Sequence, residues 1–272
     1  MSGGVGADGR ATADTVGGAP VRRKKRWWIG VLIAVVVVAV LGVAAELVLR
    51  QVIPNRVTEI VREELDLPAD APVDVTLGGS ALLNALRGGI GDVTVEIPRA
   101  PIVEGVEVDA RAHAEFSPFD PEHGSIRGAT AELTVPKDQL GAVIKILASG
   151  VADTGEVSNG DLVVGRTIEA LGQSLPITAR LGFAVNDGDV EVEPRGVAAA
   201  GLDLSAEQIS RLTGSLLDPV LKPQTVCVRD RLPAGITLTE ISLSKAGSVT
   251  IGAKLNPDIL SNPAMLEPGS CG

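Results

Sequence analysis

Hydrophobic positions in this chain form one uninterrupted run and, further on, two kinds of periodic pattern. The run is 27–45, WWIGVLIAVVVVAVLGVAA, and it contains no charged residue. A helix of this length rises about 1.5 Å per residue and just crosses a hydrocarbon core of about 30 Å. The basic segment 22–26, RRKKR, precedes the run, and Trp27 and Trp28 lie where interfacial aromatic residues are enriched. The pattern therefore predicts a transmembrane helix whose basic flank stays in the cytoplasm.

We expect three parts in the chain: a disordered basic cytoplasmic tail (1–26), a transmembrane helix (27–49) and an exported domain (50–272). The tail is rich in small residues and lacks periodicity. A cleaved signal peptide is the alternative, because Val43, Ala44 and Ala45 are small enough for a signal peptidase. The apolar run is longer than the usual signal core of about 7–15 residues, which favours a single-pass anchor. Cleavage would secrete the same domain.

Alternation of apolar and polar residues dominates the exported part and is typical of antiparallel strands with one buried face. In the longest run, 106–116, Val106, Val108, three alanines and Phe116 alternate with polar residues. Segment 186–189, NDGD, predicts a tight hairpin turn, and a phase slip at Glu240 predicts a β-bulge. Other alternating runs are 73–77, 93–97, 129–135, 177–185, 190–192, 236–243 and 249–255.

Helical spacing of apolar residues occurs in four further segments. Pro54 suits the first turn of a helix that ends before Pro68, and Ser80 can cap a short helix. Pro136 can begin a third helix, and Ser205 forms a capping box with Gln208 at a fourth. The stripes of the last three helices are Leu82, Leu83 and Leu86; Leu140, Val143, Ile144 and Leu147; and Ile209, Leu212 and Leu216.

Each of these helices is apolar on one stripe only, so each needs a partner surface, and the buried face of the sheet is available. The predicted fold class is α+β, with a long curved antiparallel sheet wrapped around helices and preceded by one transmembrane helix. Periodicity does not distinguish a filled core from an open apolar groove, because both need the same residue types. Both interpretations stay open at this point.

Charge and composition exclude several partners. Residues 1–26 carry six basic and two acidic residues, so the chain's net charge of −10 leaves −14 for the remainder. An acidic exported domain is a poor fit to nucleic acid, and also to binding anionic headgroups by charge alone. The three phenylalanines and the absence of tyrosine argue against stacking on bases or sugars.

Candidate chemistry is sparse. Cys227 and Cys271 both lie in the exported part, where an even count predicts one disulfide; a redox pair or metal site is disfavoured because CxxC spacing is absent. The sequence lacks GxSxG, P-loop, HExxH and EF-hand motifs, so we predict no catalytic residues, no cofactor and no metal. The remaining candidates have structural explanations: His113 and His123 as a solvated strand residue and a turn residue, and Arg166, Arg180 and Arg195 on the wet sheet face.

Three segments together are similar to a known family: 73–101, VDVTLGGSALLNALRGGIGDVTVEIPRAP; 124–140, GSIRGATAELTVPKDQL; and 232–255, LPAGITLTEISLSKAGSVTIGAKL. In this order they resemble the LmeA-like phospholipid-binding family of actinobacterial cell envelopes, over roughly residues 50–258. The resemblance implies a tubular lipid-binding module and a role in envelope glycolipid (lipomannan-type) maintenance. The basic N-terminal tail and the cysteine pair depart from the family pattern.

The sequence thus predicts a membrane-anchored, extracytoplasmic phospholipid-binding protein that sequesters acyl chains in an apolar groove without catalysis. One alternative is a structural or scaffolding envelope protein that binds a protein partner through a sheet edge. Another is a hydrolase whose residues converge only in three dimensions. The predicted lining consists of Leu82, Leu83, Leu86, Val143, Ile144, Leu147, Ile209, Leu212 and Leu216.

Overall fold

The structure, a computed structural model, describes residues 24–103, 105–147, 152–170, 173–199, 201–213 and 221–271. Most of the predicted cytoplasmic tail, residues 1–23, lies outside the described residues. The chain divides into two compact units between Ala44 and Ala45.

The first helix, α1, runs without interruption from Lys24 to Glu64. Its described part contains a stretch long and apolar enough to cross a membrane, with exposed side chains, as a membrane anchor or a signal sequence has. The prediction that a separate helix begins at Pro54 is wrong, because Pro54 lies inside α1. Proline removes one backbone donor and crowds the preceding turn. Two residues in the helical turn before Pro54 offset this cost through tertiary interactions. The Ile53 side chain is buried, and the Arg50 guanidinium donates to the Leu77 carbonyl oxygen at 3.3 Å.

The second unit contains short helices and long strands. Its elements, within the part of the chain that the structure describes, are β1 (Asp74–Leu77), α2 (Ala81–Leu86), β2 (Gly89–Val103), β3 (Val106–Pro118), β4 (Thr130–Val135), α3 (Lys137–Leu147), β5 (Thr154–Ser158), β6 (Asp161–Ala170), β7 (Gln173–Asn186), β8 (Asp189–Ala199), β9 (Leu202–Ser205), α4 (Ala206–Thr213), β10 (Gln224–Val226), β11 (Ile236–Leu243) and β12 (Val249–Leu255).

The strands form two antiparallel sheets of six strands each. The first has the order β1-β2-β3-β4-β12-β11, and the second has the order β10-β8-β7-β6-β5 with β9 also paired to β8. The predicted α+β class with long antiparallel strands is confirmed. The strands form two sheets rather than one: β5 to β10, which follow α3, form the second sheet, and the chain then returns to the first sheet with β11 and β12.

Local predictions from turn and cap residues are confirmed. The hairpin between β7 and β8 has positive φ at Asp187 and Gly188, 52° and 83°, as a tight two-residue turn requires. The register of β11 against β12 shifts between Leu238 and Glu240, where the bulge was expected. Ser205 and Gln208 form the reciprocal capping box, each side chain accepting from the backbone N–H of the other residue.

The core lies where α3 is enclosed by both sheets. Leu140 on α3 is only 2% exposed and packs with Val106, Val108 and Val135 of the first sheet and Leu162 of the second. Strand β5 approaches α3 so closely that a Cβ at Gly155 would lie 2.4 Å from the Ile144 side chain. At this end of the molecule, two sheets pack on one helix.

A C-terminal strap joins the two sheets. The predicted disulfide is confirmed: Cys227, which follows β10, is bonded to Cys271 with the Cα atoms 5.9 Å apart. The Arg229 guanidinium forms a bidentate ion pair with the Asp189 carboxylate at 3.1 Å for both hydrogen bonds. The segment after β12 of the first sheet is thus held at the β10 edge of the second.

The first turn of α2 is capped by two side chains. The Glu46 carboxylate accepts hydrogen bonds from the backbone N–H groups of Ala81 and Leu82, at 2.9 and 2.8 Å, and from the Ser80 hydroxyl at 2.9 Å. Ser80 Oγ in turn accepts from the Leu83 N–H at 3.2 Å. Amide groups that a helix start leaves unsatisfied are therefore satisfied here, partly by a residue of α1.

We expect Ser80→Ala to lower the free energy of unfolding by about 1 kcal/mol, the usual cost of removing an N-cap hydroxyl. Denaturant titration of the full chain measures this loss, and faster hydrogen exchange at the Leu83 amide locates it. The matched control is Ser205→Ala at the start of α4, which should accelerate exchange only in that helix. An unchanged exchange rate at Leu83 in the Ser80 variant would contradict the capping role.

Candidate functional site

The apolar residues of the first sheet lie on one face in cross-strand rows, because residues directly opposite in an antiparallel pair share a face. Two neighbouring rows of aliphatic residues cross the middle of the sheet, each with one residue from β2, β3, β4, β12 and β11. In that strand order, the first row is Ile97, Ala110, Leu133, Ile251 and Ile241, and the second row is Val95, Ala112, Ala131, Ala253 and Leu238.

Coverage of this face is uneven. Ile97 on β2 and Ala129, just before β4, are buried. Val108 and Val135, near α3, are buried, whereas Leu133 is 41% exposed and Ala112 is exposed, although all four share the apolar phase. The reason is length: α3 has 11 residues and extends about 16 Å. The 13 residues of β3 extend about 43 Å. One short helix therefore leaves Ala112 and Leu133 exposed and most of the other residues in these two rows only half-buried.

Alanines, of which Ala112 is exposed and the others are half-buried, form the centre of this part of the face. Ala112, Ala131 and Ala253 are opposite one another on three adjacent strands, with Val95 beyond them on one side and Leu238 on the other. We call Ala110, Ala112, Ala131 and Ala253 the alanine floor. Its side chains are shorter than the flanking aliphatic ones, so an apolar chain can approach the sheet between them.

The predicted lining residues that the structure describes lie on three helices that pack on different strands. Val143 and Ile144 belong to α3 and pack against the buried core at the α3 end of the apolar face. Leu82 is half-buried on α2, where Leu83 and Leu86 are exposed. Ile209 is half-buried on α4, which packs on β8 and β9. The side chains of Leu147 and Leu212, and all of Leu216, lie outside the described residues.

The alanine floor and Leu133 are absent from the predicted lining. Their signal in the sequence is the apolar phase of the long alternating run, in which three successive inward positions of β3 are alanine. Alternation identified the face correctly. The sequence does not decide whether this face is filled or open, and the exposed Ala112 belongs to it.

The three arginines expected on the wet sheet face do not form one cluster. Arg180 pairs with Asp203 at 2.6 Å, and Arg195 pairs with Asp161 and Glu193. The hydrogen bond from Arg195 to Asp161 is the main reason that the pKa of Arg195 is raised. Arg166 is exposed on the opposite face of the second sheet, across from Ile177.

Both histidines have polar partners within the structure. The His123 ring lies 3.0 Å from an Asp120 carboxylate oxygen in an exposed turn. This hydrogen bond raises the pKa of His123 and lowers that of Asp120. His113 Nδ1 lies 3.1 Å from Thr94 Oγ1 on the polar face of the first sheet. These contacts place both rings among structural hydrogen bonds.

Two of the surface clefts lie close to α3 and α4. One of about 800 Å³ lies beside β8 and the start of α4 and has a mixed charged lining that includes Arg195, Arg211 and Lys222. Another of about 510 Å³ lies at the β2–β3 hairpin, next to Gln139 of α3. Of the predicted lining residues that the structure describes, none lines either cleft.

The protein is thus an α+β protein with an aliphatic sheet face that is partly exposed, a surface that suits an apolar ligand. The chain belongs to the LmeA-like phospholipid-binding family, which it matches over residues 44–252. The expected family resemblance is therefore confirmed, and the family is a lipid-binding one. No curated protein and no solved structure is significantly similar to the chain.

Proposed function

We propose that the protein is a membrane-anchored, extracytoplasmic phospholipid-binding protein that holds acyl chains against the apolar face of its first sheet. The observation that carries this proposal is the exposure of Ala112 and Leu133 in the same phase as the buried Val108 and Val135. An apolar face that its own chain leaves partly uncovered is a surface for an apolar ligand. The phospholipid-binding family supplies the class of that ligand.

Hydrophobic burial supplies enough free energy for this role. At about 0.8 kcal/mol per buried methylene, ten methylenes from each of two acyl chains give roughly 16 kcal/mol. The cost of association and ordering is about 4–15 kcal/mol. Val143 and Ile144, which pack against the buried core on α3, are the predicted lining residues nearest to the proposed binding face.

The proposed anchor is the apolar stretch of α1. The basic segment 22–26 favours retention of the N-terminus in the cytoplasm, which places the second unit on the other side of the membrane. Signal-peptide cleavage would leave the same unit secreted. Within the envelope, the proposed role is non-enzymatic support of lipid or lipomannan-type glycolipid maintenance, in line with the family resemblance.

Mass spectrometry of an organic extract tests the proposal. The full chain is purified in a phosphate-free detergent and washed until ordinary annular lipid is removed. We expect a phospholipid to remain at a fixed ratio to protein. An extract without phospholipid would contradict the proposal, and a protein partner recovered in its place would favour the scaffolding alternative.

A further inference from the structure

Three large apolar side chains lie exposed around α2, outside the surface described above. Leu83 is 55% exposed, Leu86 is 76% exposed and Phe119 is 56% exposed. We propose that these residues, the α2 patch, insert into the outer surface of the bilayer that holds the anchor. This inference rests on the membrane anchoring proposed above.

Local geometry brings the three side chains into one area. Leu83 and Leu86 are three residues apart on α2, which places them on neighbouring positions of the helix surface. The Phe119 backbone N–H donates to the carbonyl oxygen of Gly88 at 3.0 Å, immediately after α2. The patch is thus a continuous structural feature of the α2–β2 corner and the end of β3.

Chain connectivity places this corner at the membrane surface. The charge-free run ends at Ala45, and the next residue, Glu46, hydrogen-bonds the first turn of α2. Because α2 has six residues and extends only about 9 Å, Leu86 cannot lie far from that point. If the run crosses the bilayer, α2 lies at the depth of the headgroups.

The chemistry of the patch fits a lipid surface. Leucine and phenylalanine are the side chains with which interfacial helices enter the boundary between headgroups and acyl chains. Arg87, exposed at the end of α2, adds a cation beside them that suits a lipid phosphate. The domain as a whole is acidic, so apolar insertion rather than general charge attraction makes the contact.

Such a contact also orients the proposed binding face. Strands β2 and β3 run from the α2 corner, at Gly89 and Pro118, to the hairpin at Val103 and Val106. The α2 corner would be the membrane-proximal end of these strands. The alanine floor lies between the two ends, on the route from the bilayer to the core around α3.

A fluorescent probe on a cysteine tests the contact. Leu86→Cys provides the only free thiol among the described residues, since Cys227 and Cys271 are bonded to each other. The labelled full chain is reconstituted in phosphatidylcholine vesicles that carry a quencher high on the acyl chain. We expect several-fold stronger quenching than for Ile102→Cys, an equally labelled control.

Ile102 is a matched control because it is an aliphatic residue, 56% exposed, at the far end of β2. It lies on the order of 40 Å along the strand from the α2 corner. Equal, weak quenching at both positions in a chain that still floats with the vesicles would overturn this inference and leave the anchor intact. A chain that does not float with the vesicles would overturn both.

The protein-to-lipid ratio distinguishes the bilayer from a second copy of the chain as the partner of the α2 patch. If a second copy of the chain covered Leu86, the probe signal would change with the protein-to-lipid ratio and not with the position of the quencher. That result would overturn the membrane contact. Quenching that is independent of protein density, and that is lost when Leu83→Ser is added, would support it.

Discussion

Replacing Leu133 with aspartate is expected to reduce phospholipid affinity about a hundredfold while the protein stays folded. The side chain lies at the centre of the partly exposed apolar face, opposite Ala110 and Ile251. A bound acyl chain would desolvate the new carboxylate without giving it a partner, and a cost of about 3 kcal/mol is in the usual range for such a group. Calorimetric titration with a short-chain phospholipid measures the affinity.

The control for this substitution is Ile102→Asp. It makes the same change at an exposed aliphatic residue of the same sheet, beyond the alanine floor. Because both sites are exposed, we expect each variant to unfold within about 1 kcal/mol of the wild type. Equal affinities of the two variants would show that lipid does not bind on this face, even if phospholipid is present in the extract.

Removal of the disulfide is expected to lower the free energy of unfolding by about 4 kcal/mol. Cys227 and Cys271 are 44 residues apart, and closing a loop of that length restricts the unfolded chain by this amount in the entropic description. The loss should be concentrated in the strap that joins the C-terminal segment to β10. Denaturant titration of the Cys227→Ser/Cys271→Ser variant measures it.

Reduction gives an independent check on the disulfide. A thiol reductant should destabilise the wild type to the level of the double variant and leave the double variant unchanged. Native-state hydrogen exchange in β10 and around Leu232 to Ile236 should accelerate in both cases. If reduction left the wild-type unfolding transition unchanged, the strap would derive its stability from the Arg229–Asp189 pair and the backbone bridges instead.

Elements with strong local signals were predicted correctly. Strict alternation predicted β3, the Asp187–Gly188 turn predicted the β7–β8 hairpin, and Ser80 marked the start of α2. In each case the residues that specify the element are close in sequence. Backbone sterics and local hydrogen bonds then decide the outcome with little help from the rest of the molecule.

Elements with weaker signals were missed or assigned wrongly. The hairpin of β5 and β6 was not predicted, although Asn159 and Gly160 form a turn with φ of 53° and 83° that is typical of such connections. The local preference of proline for a first helical turn predicts a helix start at Pro54, but the burial of Ile53 and the hydrogen bond of Arg50 accompany a helix that continues through it. Those contacts involve residues distant in sequence.

The order of apolar and polar residues along the chain already specified which side chains share a face, which ends of helices are capped, and that an acidic, aliphatic domain follows a span-length helix. It could not specify which part of the apolar sheet face is covered by other segments of the chain. Whether Ala112 and Leu133 are packed or exposed depends on how far α3 reaches across β3 and on which strands belong to the second sheet. Those are distances between segments far apart in the chain, and alternation is identical for a buried wall and an open one.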